Sequence, residues 1–360
     1  MFINTGDLEE RINTSHVSAR PHPSLPIKIY NYTPLCQFEQ KWDDVTLACR
    51  GLVLDEHLNV IARPFKKFFN IEEYHDKLPS TLMTVTEKMD GSLGILFKYQ
   101  NQLVFATRGS FESDQAKEME KIWHEKYQRF PILEGYTYLF EIIYPENRIV
   151  VDYGQERKLV LLAVIETATG REIDVSTSGF PDIVKEYYFG DIDQLRETLG
   201  SLGANFEGFV VLWKDSGLRL KVKSVEYLRL HRIITETTTV TIWEALSQGK
   251  ELVSILDDVP DEFYDWVKET SQNLTDEFVA EGKKAISLIL PDIPEFWKLD
   301  RKAAVKYLFE ESQKRYNSNF YAHLAFMYLD GYTKDFNETI WKHIRPAYSK
   351  PFWRTDGDCS

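Results

Sequence analysis

Residues 87 to 94 read EKMDGSLG, and the residue in them with chemical potential is Lys88. A lysine amine is a nucleophile once it has shed its proton, and it can form a covalent intermediate. Apolar residues flank it: Leu82 and Val85 before, Ile95, Leu96 and Phe97 after. The pattern alone fits a plainer reading. Asp-Gly favours a type I′ turn, so Asp90 and Gly91 could join two strands and leave Lys88 as a solvated strand lysine. The rest of the chain has to decide.

Other charges also sit in apolar surroundings. Arg50 opens CRGLVLD, and RPFKKFFN crowds Arg63, Lys66 and Lys67 against Phe68 and Phe69. Arg108 ends a strand-like run before a small-residue turn. Glu141 lies inside FEIIYPENRIV and Glu207 inside FEGFVV. Lys221 and Lys223 share one face of LRLKVKS, because strand side chains alternate with period two. A charge in an apolar strand costs free energy unless it has a partner. Taken singly, either acid suits a paired core carboxylate and the two lysines suit a wet edge. Taken together, cations in a cleft suit a polyphosphate, and carboxylates among them suit a divalent metal, which prefers oxygen ligands.

These residues need strands to hold them. Strands are expected at 26–32, 48–55, 59–63, 83–88, 94–99, 103–107, 137–144, 148–151, 158–166, 206–212 and 218–223, mostly separated by short turn signals. Helices are expected near 113–130 and 192–202. Strands following strands, with few helices between, point to antiparallel sheets. After about Val225 strand signals fade and helical periodicity takes over. Phe263, Trp266, Val267, Leu274 and Phe278, for example, fall on one helical face. The expectation is an α+β chain, with an N-terminal domain over 1–240 and an all-helical domain over 241–360.

Composition narrows the function classes. Across 360 residues the hydrophobic content of 43% and aromatic content of 14% describe a folded chain. A net charge of −13 argues against a broad basic face for clamping long duplexes. It leaves room for a local basic pocket, since charge acts over about a Debye length. Cys36, Cys49 and Cys359 have no metal-type spacing and suggest a reducing, cytoplasmic setting. MFINTGDLEE does not read as a signal peptide, and no apolar run is long enough to span a bilayer. Nothing points to an obligate protein partner. His16, His22, His57 and His75 show no metal spacing, and His231 reads as a packed or surface histidine.

Several motifs occur in a recognised order. Lys88-Met89-Asp90-Gly91 resembles the nucleotidyl-lysine motif of covalent nucleotidyltransferases, the class of DNA ligases, RNA ligases and capping enzymes. Phe140-Glu141-Ile142, Glu207-Gly208-Phe209-Val210 and Leu220-Lys221-Val222-Lys223-Ser224 resemble the elements that follow it. With CRGLVLD, RPFKKFFN and RGSFESDQA, the set is similar to the phage-type RNA ligase 1 family over roughly residues 26 to 230.

That resemblance implies an antiparallel-sheet nucleotidyltransferase domain, ATP-grasp-like, that uses ATP and Mg²⁺ or Mn²⁺ to join RNA 5′-phosphate and 3′-hydroxyl ends, with a broken tRNA loop as one such substrate. It implies Lys88 as the AMP-bearing nucleophile. Lys221 and Lys223 would hold the α-phosphate, Arg50 the sugar or phosphate region, and Lys67 the outgoing pyrophosphate. Glu141 would bind metal and Glu207 the ribose or a metal-bound water. Tyr30 matches a nucleotide-site tyrosine, although by its residue pattern it is equally a core strand residue. Phe69, Glu87 and Gly91 belong to the same nucleotide site. Asp90 would orient the lysine or its turn, and Ser92 would be a local hydrogen-bonding residue. One departure stands out: the phage pattern has lysine where this chain has Arg108, and a guanidinium offers a planar fork in place of a point donor. A second metal ligand has no clear counterpart; Glu251 and Asp257 are the nearest candidates.

Overall fold

The computed structural model describes residues 5–203, 205–250, 252, 261–289 and 293–349. They divide into two units between His231 and Arg232, ahead of the border near 240 read from the sequence. The fold class is α+β.

The N-terminal unit is built on three sheets. In the first, β1 (Val17–Pro21), β2 (Ile27–Tyr32), β3 (Arg50–Asp55) and β4 (Val60–Ala62) lie side by side in that order. The remaining strands are β5 (Phe69–Asn70), β6 (Met83–Lys88), β7 (Ser92–Tyr99), β8 (Gln102–Thr107), β9 (Tyr136–Ile143), β10 (Lys158–Glu166), β11 (Glu172–Ile173), β12 (Glu186–Tyr187), β13 (Gly208–Trp213) and β14 (Leu218–Lys223). They form two five-stranded sheets, ordered β11-β10-β9-β7-β8 and β12-β6-β13-β14-β5. Pairing is antiparallel except between β14 and β5. The second sheet buries Leu96, Phe140, Leu159 and Leu161 against Met119 and Ile122 of the helix Asp114–Ile122. The third buries Val85, Phe209, Val211, Leu220 and Val222. Burying these apolar faces fixes which way the alternate, polar residues point, since a one-residue slip would invert every side chain.

Two expectations change at this level. Asp90-Gly91 is not a hairpin turn. Strand β6 pairs with β13 and β12, while β7 pairs with β8 and β9, so the dipeptide carries the chain from one sheet to the next. Neither residue has positive φ, which a type I′ turn requires. Residues 148–151 form no strand either. The Val150 and Val151 amides are taken by the Asp90 carboxylate at 2.9 Å each, and so are unavailable to a ladder.

A bulge shapes the first sheet. Tyr30 pairs with Leu52 and Asn31 with Arg50, which leaves Gly51 as the extra residue on β3. Gly51 has φ +88°, and a side chain there would meet Ile95 at 2.5 Å. The bulge breaks strict alternation on both sides of Arg50.

In the C-terminal unit, the helices Asp261–Ile286, Arg301–Tyr316, Phe320–Leu329 and Thr333–His343 enclose a core around Ala285, Leu288, Leu308, Leu324 and Ile340. Phe263, Val267 and Leu274 are buried as their periodicity requires.

Candidate active site

Three adjacent strands set the centre of the site. Lys88 at the end of β6 lies opposite Gly208, and Gly208 lies opposite Lys223 on β14. Glu207, one residue before β13, therefore sits between two lysines. Its Oε1 is 2.7 Å from Lys88 Nζ and 3.0 Å from Lys223 Nζ. The Glu207 side chain is only 2% exposed, and its Oε2 is buried with no partner among the described residues. A buried carboxylate oxygen without a donor is costly, and it marks where a ligand hydroxyl or a metal-bound water would be welcome.

The charges around Lys88 hold its proton on. Burial pulls the Lys88 amine down, but the charges of Glu207 and Glu141 and the Glu207 hydrogen bond outweigh it, so its pKa is raised. With a pKa above the ordinary lysine value, Lys88 faces Glu207 as an ammonium. The lysine pushed well below the ordinary range is Lys221, by burial and then by Lys88, Arg50, Lys67 and Lys223. Glu141 is pushed up to about 8, first by burial and, despite Lys88, by Glu207 and Asp90; the Gly91 amide hydrogen-bonds to it. Burial lowers Arg50 to about 10 although Tyr32 hydrogen-bonds to it. Its Nη1 is a second buried group with no partner among the described residues.

Asp90 anchors the chain behind the nucleophile. Besides the two amides, Tyr227 donates to its Oδ1 at 2.9 Å, and its own amide donates to Tyr153 Oη at 2.9 Å. Burial raises its pKa against these hydrogen bonds. Ser92 Oγ donates to Asn147 Oδ1 at 3.2 Å, a local structural bond. A side chain at Gly91 would come within 2.7 Å of the Ile142 carbonyl oxygen. The close approach that needs glycine is thus to the neighbouring strand.

Aromatic rings hold the other cations. Lys67 Nζ lies 5.4 Å from the Tyr32 and Phe69 ring centres and 5.5 Å from that of Trp42. Trp42 packs edge-on against both of those rings. Arg108 lies over Tyr32 and donates to its hydroxyl at 3.2 Å. Phe68 stands 5.6 Å from Arg50 and 5.3 Å from Lys221. Glu87 accepts from the Tyr187 hydroxyl at 3.1 Å.

Most of the expected residues are thereby brought to one cleft: Lys88, Asp90, Gly91, Glu87, Glu141, Glu207, Lys221, Lys223, Arg50, Lys67, Phe69 and Arg108 all line it. Tyr30 does not. It packs with Leu8, Val17, Val45 and Leu54 in the core, and Tyr32, beyond the irregular step opposite Gly51, lines the cleft. Arg63 donates to the Thr167 carbonyl and Lys66 approaches Asp44 at 3.9 Å, so neither joins the group. His231 does line the cleft, its ring 5.7 Å from that of Tyr227. Tyr32, Trp42 and Tyr227 were not singled out by sequence. The only available signal was the second tyrosine of KIYNY; Trp42 lies in an irregular connection with no periodicity to expose it.

Among the described residues no three His, Cys, Asp or Glu side chains cluster as a metal site. Glu251 and Asp257 lie outside the described residues. Glu141 and Glu207 fit a hard cation only in company: their two carboxylates, one with an unused oxygen, would complete a shell with phosphate oxygens and water. The cleft, about 1790 Å³, is larger than a pocket for one small ligand, about 300–1000 Å³. Among the described residues no helix is long and apolar enough to cross a membrane.

Comparison with known proteins gives the following. A family model described as RNA ligase matches residues 48–227, half of the chain. A protein of Autographa californica nuclear polyhedrosis virus, described as a candidate bifunctional polynucleotide kinase/RNA ligase, is 30% identical over 263 residues, covering 64% of this chain and 37% of the relative. A candidate RNA ligase of Thermovibrio ammonificans is 29% identical over 195 residues, covering 49% and 50%. The RNA ligase of Rhodothermus phage RM378 is 24% identical over 304 residues, covering 62% and 68%. The chain thus spans half or less of the length of the first two. A solved archaeal ATP-dependent RNA ligase aligns with a TM-score of 0.44 at 15% identity, covering 68% of this chain and 65% of that one.

Proposed function

The chain belongs to the RNA ligase family, and from that premise we propose that it is an ATP-dependent ligase that joins 5′-phosphate and 3′-hydroxyl RNA ends through a Lys88–AMP adduct. The observation that carries the reading is the Lys88 amine held 2.7 Å from Glu207, in a cleft it shares with Lys221 and Lys223. In the first step Lys88 Nζ bonds to the α-phosphorus of ATP and the bond to pyrophosphate breaks. The adenylate then moves to the RNA 5′-phosphate, freeing the lysine. Finally the 3′-hydroxyl oxygen attacks that 5′-phosphorus and AMP leaves.

Before the first step the Lys88 ammonium has to give up a proton. Glu207 Oε1 is already hydrogen-bonded to it and is the adjacent acceptor. Lys221 and Lys223 offset charge at the α-phosphate, Arg50 and Arg108 hold the nucleotide, and Lys67 meets the departing pyrophosphate. Displacement at phosphorus asks for little beyond alignment and charge stabilisation, which such a cation set supplies. Glu141 and Glu207 would hold Mg²⁺, which when bound adds charge neutralisation at the phosphates. Asp90, Glu87, Gly91 and Phe69 keep the frame in place. In this reading residues 1–240 carry out nucleotidyl transfer and the helical region 241–360 recognises the RNA, with a broken tRNA loop as the substrate class.

The test is incubation with α-labelled ATP or GTP and Mg²⁺, followed by a denaturing gel. Label from ATP, absent in Lys88→Ala, is the expected result. Label from GTP would replace the reading with a capping-type transferase, and no label with a non-catalytic end binder. Sealing of single-stranded RNA, compared with DNA, then fixes the substrate.

A further inference from the structure

Strand β14 presents a third cation beside the two lysines already used. Leu220 and Val222 point into the core, so Arg219, Lys221 and Lys223 share the opposite face, and all three line the cleft. On an extended strand they follow one another at about 6.5 Å, so Arg219 lies about 13 Å along the strand from the lysine beside the nucleophile.

Arg219 is built into its place. Its guanidinium lies 4.0 Å from the Phe65 ring centre and 5.9 Å from that of Phe68. Its side chain is only 13% exposed. One nitrogen, Nη2, donates to both oxygens of Glu172, at 2.8 and 2.6 Å. Among the described residues Nε and Nη1 have no hydrogen-bond partner. A guanidinium fork suits a bidentate phosphate contact, and stacking on aromatic rings holds it ready at low entropic cost. A pair with a partly exposed carboxylate is weak enough to open.

We infer that Arg219 is a phosphate-binding position for the polynucleotide strand, and that Glu172 covers it until the strand arrives. The nucleotide's own tail is a poorer fit. Its phosphates are separated by single bridging oxygens, and Lys67 with its three rings already awaits them. Strand phosphates are spaced by whole sugars, and the cleft volume exceeds what one nucleotide fills. The inference rests on the ligase reading for the strand's identity.

The two partners should act in opposite directions. The measurement is equilibrium binding of a fluorescent, 5′-phosphorylated single-stranded RNA to the full chain, without ATP, over a range of salt. Arg219→Ala is expected to bind roughly tenfold more weakly, with a salt slope shallower by about 0.7, the value for one lost single-strand phosphate contact. Arg219→Lys should restore the slope but only part of the affinity. Glu172→Gln should bind several-fold more tightly. A merely structural pair predicts weakening from both sides, so loss of affinity in Glu172→Gln, or an unchanged slope in Arg219→Ala, overturns the inference. These results are separable from the ligase reading. A chain that never takes label from ATP sinks that reading while the salt titration still reports on Arg219, and an unchanged slope sinks this contact while labelling stands.

Discussion

Two buried carboxylates, one in each unit, stand beside lysines and have different surroundings. In the helical unit Glu281 accepts from Lys284 at Oε1, 2.6 Å, and from the Tyr321 hydroxyl at Oε2, 2.7 Å, with His343 Nε2 at 3.8 Å. Both oxygens are used, and Lys284 keeps 40% of its side chain in solvent. In the N-terminal unit Glu207 crowds two lysines, 21% and 19% exposed, onto one oxygen and leaves the other bare. Both would look alike as a buried acid near a base. What separates them is satisfaction. The Glu281 network is complete and explains itself as structure, whereas the Glu207 cluster sets two lysines on one oxygen and keeps a spare acceptor, which suits a site that takes a ligand.

The strongest way to break this contrast is to remove the cation from each. Lys88→Ala should eliminate ATP labelling, and Lys284→Ala should leave it intact. Label surviving in the first would make the two clusters equivalent. Next is Glu207→Gln, which keeps the shape but withdraws the charge shared by Lys88 and Lys223. Its labelling rate should fall roughly 100-fold, the scale of losing one preorganised electrostatic group. A near-normal rate would mean that the charge on Glu207 has no part in the reaction.

Stability effects sharpen the comparison from the other side. Asp90→Ala removes the oxygen that accepts the Val150 and Val151 amides and the one that accepts the Tyr227 hydroxyl, and leaves those buried donors without their partner. Denaturation of the N-terminal unit should shift by about 1–3 kcal/mol, the cost of an unsatisfied buried group. Tyr321→Phe removes one donor from a network that keeps Lys284 and His343, so about 1 kcal/mol is expected in the helical unit, read by amide exchange. If Tyr321→Phe proved the costlier, the Glu281 network would be less complete than its geometry says.

How legible these clusters were from sequence depends on their span. Lys88, Glu207, Lys221 and Lys223 could be read because each lies at or beside a strand whose apolar alternation fixes its facing. That Lys88 is charged could not be read, because it depends on which carboxylate a strand from a distant part of the chain delivers. Tyr32 replaced Tyr30 in the cleft because a bulge opposite an otherwise regular strand leaves only Gly51 as its trace. Asp90 read as a turn residue because its partners, two amides at 150–151 and a helical tyrosine, are long-range. The wall of Tyr32, Trp42 and Phe69 around Lys67 joins an irregular segment to two strands, and no local pattern encodes it.

The smallest expected effect is a difference in pH slope. Burial opposes the charge on Glu281, but the Lys284 and Tyr321 hydrogen bonds win and lower its pKa. The native helical unit therefore binds fewer protons than the unfolded chain. Its stabilisation is present above the ordinary glutamate value and is lost as pH falls through the lowered one. Glu141 is pushed up to about 8 by burial. The native N-terminal unit keeps a proton that the unfolded chain has released, so this contribution is full below the ordinary value and falls as pH rises through about 8. Lys221, lowered by burial and its cationic neighbours, acts with the opposite sign, so the comparison is between wild type and Glu141→Gln. Protection factors corrected for intrinsic exchange should show Glu141→Gln losing the decline toward pH 8 in β6 and β13, and Glu281→Gln losing the acid-side decline in the helical unit. Declines of the same sign in both units would mean that the two carboxylates share one kind of environment, and the distinction between a finished network and a waiting site would fail.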